Sequence, residues 1–218
     1  MSLKKTIKDV NWEGKTAIVR VDFNVPVAMK PDSHEIYSIS DDSRIRASLP
    51  TINYLSSAGA KIILITHFGR PNGKPNKELE LTPIASRLSE LLGSPVTYVH
   101  QVLGEEITSM VKQMDKSETI MLQNLRFYEE EEANSEEFSK NLAGLADVFV
   151  NDAFGTAHRS HASTEGIAHH IPSVAGLLME KEIQFLGGVL DSPKRCLLYT
   201  SDAADEGLGV DLGGRRII

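Results

Sequence analysis

Short apolar runs alternate along the chain with longer amphipathic ones, and the alternation predicts strands and helices in turn. Thr16–Val21 and Lys61–Thr66 are β-branched and too short for a stable helix, so each reads as a strand, the second fully buried. Val96–Val99, Thr119–Leu122 and Val148–Val150 are shorter runs of the same kind. The spacing predicts a helix over Ser43–Ala58, with Asp41, Asp42 and Ser43 available to cap it and Gly59 to stop it. Pro50 removes one backbone hydrogen bond there if it lies beyond the first turn. Thr82-Pro83 presents a capping residue and a proline in the favoured order for a helix start, and Gly93 closes that helix. Gly104–Met114 and Ser135–Ala146 are further helices, and the acidic run Glu129–Glu132 reads as a solvated loop or a helix entrance. Leu177–Leu190 is more apolar than a free surface helix should be, which predicts a packing partner. The whole is an α/β pattern: a mostly parallel sheet with helices on both faces.

Composition narrows the setting. The chain has 218 residues, 41% of them apolar, with 23 Lys+Arg against 30 Asp+Glu and a net charge of −7. That supports a real core, and no apolar run approaches the ~20 residues of a membrane span. The N-terminus MSLKKTIKDV lacks the apolar centre of a signal peptide, and one cysteine, Cys196, cannot make an internal disulfide. The expectation is a cytoplasmic protein with no membrane partner. The acidic balance argues against nucleic acid, although local arginine clusters can still hold a small anion.

The C-terminus changes character at Cys196. The string CLLYTSDAADEGLGVDLGGRRII resembles the conceptual translation of a transposase-type sequencing adapter, with both constant arms in one frame. On that reading the natural sequence ends at Arg195, and 196–218 is a non-native tail expected to be unstructured or merely appended. Its glycines follow no apolar strand and open no helix, so they are not read as a phosphate loop.

In an open parallel sheet, ligands bind outside the carboxyl ends of the strands. Asp22 and Asn24 follow the first strand, His67 and Arg70 the second, Asn124 and Arg126 the run at 119–122, and Asn151, Asp152, Gly155, His158 and Arg159 the run at 148–150. Singly, an arginine there is a salt-bridge partner, a histidine a loop residue, and Asn151 and Asp152 turn or capping residues. Polar groups at four strand ends on one edge, with three arginines among them, favour a polyanion pocket, because guanidinium forks match carboxylate and phosphate oxygens. Competing chemistries lack their signatures. His158, His161, His169 and His170 come without the cysteine or helical carboxylate of a zinc site, so no metal is assigned. No G-x-S-x-G elbow, Walker loop or G-x-G-x-x-G fingerprint occurs in 1–195.

Taken together, RVDFNVPV (20–27), DDSRIRASLPTI (41–52), THFGRP (66–71), LQNLRF (122–127) and DVFVNDAFGTAHRSHAST (147–164) resemble the phosphoglycerate kinase family, in that family's order. The resemblance implies a Rossmann-like fold and the first of two domains. Residues 1–176 would be the 3-phosphoglycerate-binding domain and 177–195 the interdomain helix and start of the hinge, with the nucleotide domain missing. It implies a cytoplasmic, monomeric enzyme that moves a phosphoryl group between 1,3-bisphosphoglycerate/ADP and 3-phosphoglycerate/ATP. ATP/ADP and Mg2+ would be bound by the missing domain, and this fragment alone would be inactive. Matched by motif, the substrate contacts are Asp22, Asn24, Arg44, His67, Arg70, Arg126 and Arg159, with Arg44 the catalytic candidate. Asp22 is the odd member, an acid beside an anion, unless it accepts a substrate hydroxyl or orients an arginine. Two departures stand out: Ala28–Ser40 is longer than the family's usual turn, and Gln123 stands where Glu is common. A single-domain, non-catalytic binder of phosphosugar acids is the alternative reading.

Overall fold

In the computed structural model, residues 4–29 and 36–191 are described. Residues 1–184 form one compact unit, and a second begins at Phe185. The first unit is built on a six-stranded sheet. Its strands are β1 (Thr16–Arg20), β4 (Lys61–Ile65), β5 (Val96–Val99), β6 (Thr119–Leu122), β7 (Val148–Asn151) and β8 (Ser173–Ala175), in the order β5-β6-β4-β1-β7-β8. Every pairing in it is parallel. A small antiparallel hairpin, β2 (Val27–Met29) with β3 (Ile36–Ile39), follows β1. The chain crosses from one side of β1 to the other between β6 and β7, so the sheet order reverses around β1 and opens a crevice at its carboxyl end.

The strand sequences explain why both faces are covered. Ala17 and Val19 join one apolar cluster and Ile18 the other; Ile62 and Leu64 separate from Ile63 and Ile65 in the same way. Successive strand side chains point to opposite faces, so an uninterrupted apolar run demands helices on both. One face packs against Ile45, Ile52 and Leu55 of α1 (Ser43–Ser57) and Ile84 and Leu88 of α2 (Thr82–Leu92). The other packs against Ile107 and Val111 of α3 (Glu105–Gln113) and Phe138 and Leu142 of α5 (Glu136–Ala143).

Helix starts depart from the sequence reading in detail. Asp42 occupies the cap position of α1 without capping it; its carboxylate instead accepts from Arg46 (2.7 Å) and Arg87 (2.7 Å), which hold its pKa down. Asp41 Oδ1 takes the Ser43 amide at 2.8 Å. Thr82 is the first residue of α2, with Leu81 at the cap position, so the Thr82-Pro83 pair acts through the proline's fixed φ rather than through a side-chain cap. Gly93 ends α2 at φ 65°, in the left-handed region that favours glycine. Pro50 lies inside α1, beyond its first turn, and deprives the Arg46 carbonyl of a donor.

The acidic run is a correction. Glu129–Glu132 forms a one-turn helix, α4, and Glu131 is fully buried rather than solvated. The last helix, α6 (Leu177–Asp191), begins in the first unit, with Met179 buried there. Residues 192–218, which include the adapter-like stretch, lie outside the described residues, as do 30–35 within the long segment after β2.

Candidate functional site

Each strand end delivers its polar residues to the carboxyl edge of the sheet, and the loops are laced together there. After β1, Asp22 Oδ2 accepts from Arg44 Nη1 at 2.7 Å, and Asn24 Oδ1 accepts the Gly69 amide at 3.0 Å. After β4, Thr66 Oγ1 takes the Phe23 amide (3.0 Å), which ties the first two loops. After β6, Asn124 is fully buried with every polar hydrogen and lone-pair direction engaged. Its Oδ1 accepts from Phe68 (3.1 Å) and Arg126 (3.2 Å) amides, and its Nδ2 donates to Phe68 (2.7 Å) and Leu79 (3.1 Å) carbonyls. Arg126 is 5% exposed; its Nη1 donates to the Gly69 carbonyl at 2.8 Å, and its Nε lies 3.0 Å from Glu132 Oε1 without the alignment of a hydrogen bond.

The charge balance of this edge is positive. His67 is buried, and burial first, then Arg20, Arg126, Arg159 and His161, push its pKa down to about 2, so the ring is neutral at physiological pH. Burial lowers Arg126 as well, with Arg159 and Arg70 adding repulsion and Glu132 and Glu131 opposing it. Arg44 and Arg70 are exposed and Arg159 half-buried, so these three guanidinium groups remain in contact with water. Such a cluster gains by accepting an anion, whose charge would relieve the mutual repulsion.

The family model "Phosphoglycerate kinase" matches residues 7–200. The chain belongs to the phosphoglycerate kinase family. A phosphoglycerate kinase of Dictyoglomus turgidum is 52% identical over 209 residues, covering 93% of this chain and 51% of the relative. One from a Synechococcus is 55% identical over 185 residues, covering 84% and 44%. The crystal structure of phosphoglycerate kinase from Pyrococcus horikoshii aligns with a TM-score of 0.76 at 37% identity, over 88% of this chain and 47% of that one. The Coxiella burnetii structure aligns with a TM-score of 0.76 at 34% identity, over 88% and 46%. The chain thus spans about half the length of the phosphoglycerate kinases it matches.

The structure brings the residues singled out by motif to one edge of this family's sheet. Asp22 touches Arg44; Asn24 holds the turn before Arg70; His67, Arg126 and Arg159 lie within one another's electrostatic reach. Asp22 pairs with Arg44 in this structure, a contact in keeping with the second of the two roles open to it. Asp152 turns inward: its Oδ1 accepts the Leu178 (2.9 Å) and Met179 (3.4 Å) amides at the start of α6. Burial raises its pKa to about 6, partly offset by Thr51 and those two amides. Three buried residues are not among those singled out for the site: Arg20 and Ser163, which stand inside the quoted motifs, and Glu131 of the acidic run. The signal for Arg20 was a charge at the end of an otherwise apolar strand; Ser163 and Glu131 carry none recognisable without the fold.

Proposed function

We propose that this chain is the acid-binding half of a phosphoglycerate kinase, with 3-phosphoglycerate held at the strand ends by Asp22, Asn24, Arg44, His67, Arg70, Arg126 and Arg159. The observation that carries the reading is a set of guanidinium groups at one edge of a parallel sheet: Arg126 and Arg159 bear on a neutral buried histidine, Arg70 bears on Arg126, and Arg44, at the start of α1, pairs with Asp22 of the loop after β1. 3-Phosphoglycerate carries a carboxylate and a phosphate of about −1.5 to −2 charge, which guanidinium forks complement bidentately. Residues 1–176 form the binding domain and 177–195 the connection to a nucleotide-binding domain of the complete, monomeric, cytoplasmic enzyme.

In the ATP-consuming direction the nucleophile is a carboxylate, already ionised at neutral pH, so no general base is required. What remains is positioning and stabilisation of charge on the transferred group. Arg70, Arg126, Arg159, His67 and Asn24 orient the acid, and Arg44, released from Asp22, meets the charge that develops on the phosphoryl oxygens. Among the described residues no group of three or more His, Cys, Asp or Glu side chains could hold a metal ion. ATP/ADP and Mg2+ are assigned to the second domain.

Assays of this chain and of the complete reading frame test the division of labour. The complete protein is expected to form ATP from ADP and 1,3-bisphosphoglycerate, and this chain to form none. ATP formation by the chain alone would overturn the division. An inactive complete protein that still binds 3-phosphoglycerate would favour the non-catalytic binder.

A further inference from the structure

A guanidinium has five N–H donors and no acceptor, so any atom it hydrogen-bonds must offer a lone pair. Arg20 Nη2 lies 3.0 Å from His67 Nδ1, both residues being buried. Nδ1 is therefore the bare nitrogen of that ring, and the ring proton sits on Nε2. The orientation of Arg20 is fixed from its other side. Its Nε donates to Ser163 Oγ at 2.9 Å, and its Nη1 donates to the Val21 carbonyl. Ser163 has one hydroxyl hydrogen, which Glu131 Oε1 receives at 2.6 Å, while Glu131 Oε2 receives the Ser163 amide at 3.0 Å. The hydroxyl hydrogen being spent, Ser163 can meet Arg20 only through a lone pair. Each hydrogen in the relay from carboxylate to imidazole then has one allowed direction.

We propose that Glu131 and Ser163 are positioning residues that act through Arg20 to hold His67 as its Nε2–H tautomer, so that the ring offers a donor to an anionic oxygen of the bound acid. This rests on the functional reading above for the ligand, not for the relay. Burial carries the case against a merely structural pair. Glu131 and Ser163 are 0% exposed and Arg20 1% exposed. An apolar trio would fill such a space at no desolvation penalty, but it could not select one tautomer of a neighbouring ring. The groups around His67 point the same way. Arg20, Arg126, Arg159 and His161 all disfavour a second proton on it, so the neutral ring must choose a nitrogen, and Arg20 occupies one of them.

Long-range nitrogen–proton NMR of the histidine rings in the full 218-residue chain at pH 7 tests this, with the His67 signals assigned by their loss in His67→Gln. The wild type is expected to show one neutral species, Nδ1 bare and Nε2 protonated. Ser163→Ala and Glu131→Gln are expected to lose that purity, a second Nδ1–H species appearing, while Ser163→Thr, which keeps the hydroxyl, retains a single species. An Nδ1–H or doubly protonated ring in the wild type overturns the proposal, as does a folded Ser163→Ala or Glu131→Gln variant whose His67 is unchanged. If neither variant folds, the wild type decides through the scalar coupling across the Arg20–His67 hydrogen bond, whose absence would also overturn it. No ligand is present in these measurements. Failure of the chain to bind 3-phosphoglycerate would therefore count against the functional reading and leave this one standing.

Discussion

Arg44 Nη1 rests 2.7 Å from Asp22 Oδ2, with the arginine side chain 52% exposed and the aspartate 15% exposed. A cation whose own side chain is half exposed, resting on a mostly buried carboxylate at the mouth of the site, stays in contact with water, which weakens the pair by screening. It can exchange Asp22 for a more highly charged partner. In the complete enzyme, Arg44→Ala is expected to lower kcat by roughly a hundredfold or more while KM for 3-phosphoglycerate moves only a few-fold. Steady-state kinetics checks this, and an unchanged kcat would remove Arg44 from the transition state.

Gly155 sits against the same carboxylate: a Cβ there would lie 2.8 Å from Asp22 Oδ2. Gly155→Ala should push Asp22 aside and release Arg44 from its resting position. The carboxylate end can shift, so the melting temperature is expected to change little, whereas affinity for 3-phosphoglycerate should fall several-fold. Calorimetric titration beside thermal melting separates the two effects.

Two buried groups give acid stability an unusual shape. His67 titrates near 6.5 when unfolded and near 2 when folded. Between those values only the unfolded chain takes up the proton. Its contribution is complete above pH 6.5 and is lost as pH falls toward 2, by about 1.4 kcal/mol per pH unit. Asp152 runs the other way, because its pKa is raised from 3.8 to about 6 in the fold. The native state takes up that proton first, so its contribution is present at low pH and is lost as pH rises through 6. The two slopes oppose each other from about pH 6 to 4, and below that His67 acts alone. In urea unfolding, the stability of the wild type relative to His67→Gln should decline from pH 6 to 3, and relative to Asp152→Asn it should rise from pH 6 to 4. Parallel pH profiles for wild type and variants would contradict the assignment.

The start of α6 depends on a close approach. A Cβ on Gly176 would fall 2.2 Å from Asp152 Oδ1, the atom that accepts the Leu178 and Met179 amides. Gly176→Ala is expected to displace the cap and destabilise the chain by about 1–3 kcal/mol, as is Asp152→Ala. Asp152→Asn, which keeps the accepting oxygen, should retain most of the stability at neutral pH. Chemical denaturation of the three variants orders them.

Asn124 joins the loops after β4 and β6 through four hydrogen bonds, all with backbone groups. Asn124→Ala strands several buried polar groups, each worth about 1–3 kcal/mol when unsatisfied. The expected result is a large loss of stability together with loosened loops, read as faster amide exchange at Phe68 and Arg126.

The sheet was readable wherever local pattern decides structure. The β-branched runs at 16–21 and 61–66 and the glycine stops at Gly59 and Gly93 lie where the sequence put them, because alternation and left-handed caps are properties of a few neighbouring residues. The β2–β3 hairpin and the three-residue β8 were missed, being too short to show a period. The strand-end residues of the site were readable because a parallel sheet fixes where its loops must go. Arg20, Ser163 and Glu131 were not. Arg20 meets Ser163 across 143 positions, and Ser163 meets Glu131 across 32, so no window of sequence contains the partner that makes burial of each charge tolerable. Asp152 likewise caps a helix 26 residues downstream, which sets it apart from an ordinary turn residue only once the fold is known.

On the function proposed above, the carboxyl ends of β1, β4, β6 and β7 form one site for 3-phosphoglycerate. An amide NMR titration of the chain with this acid tests it most directly. Saturable shifts are expected at Asp22–Asn24, His67–Arg70, Arg126 and Arg159, with affinity falling roughly tenfold in Arg70→Ala through loss of one charge-assisted contact. Shifts that fail to saturate, that centre elsewhere on the chain, or that are indifferent to Arg70→Ala would contradict it.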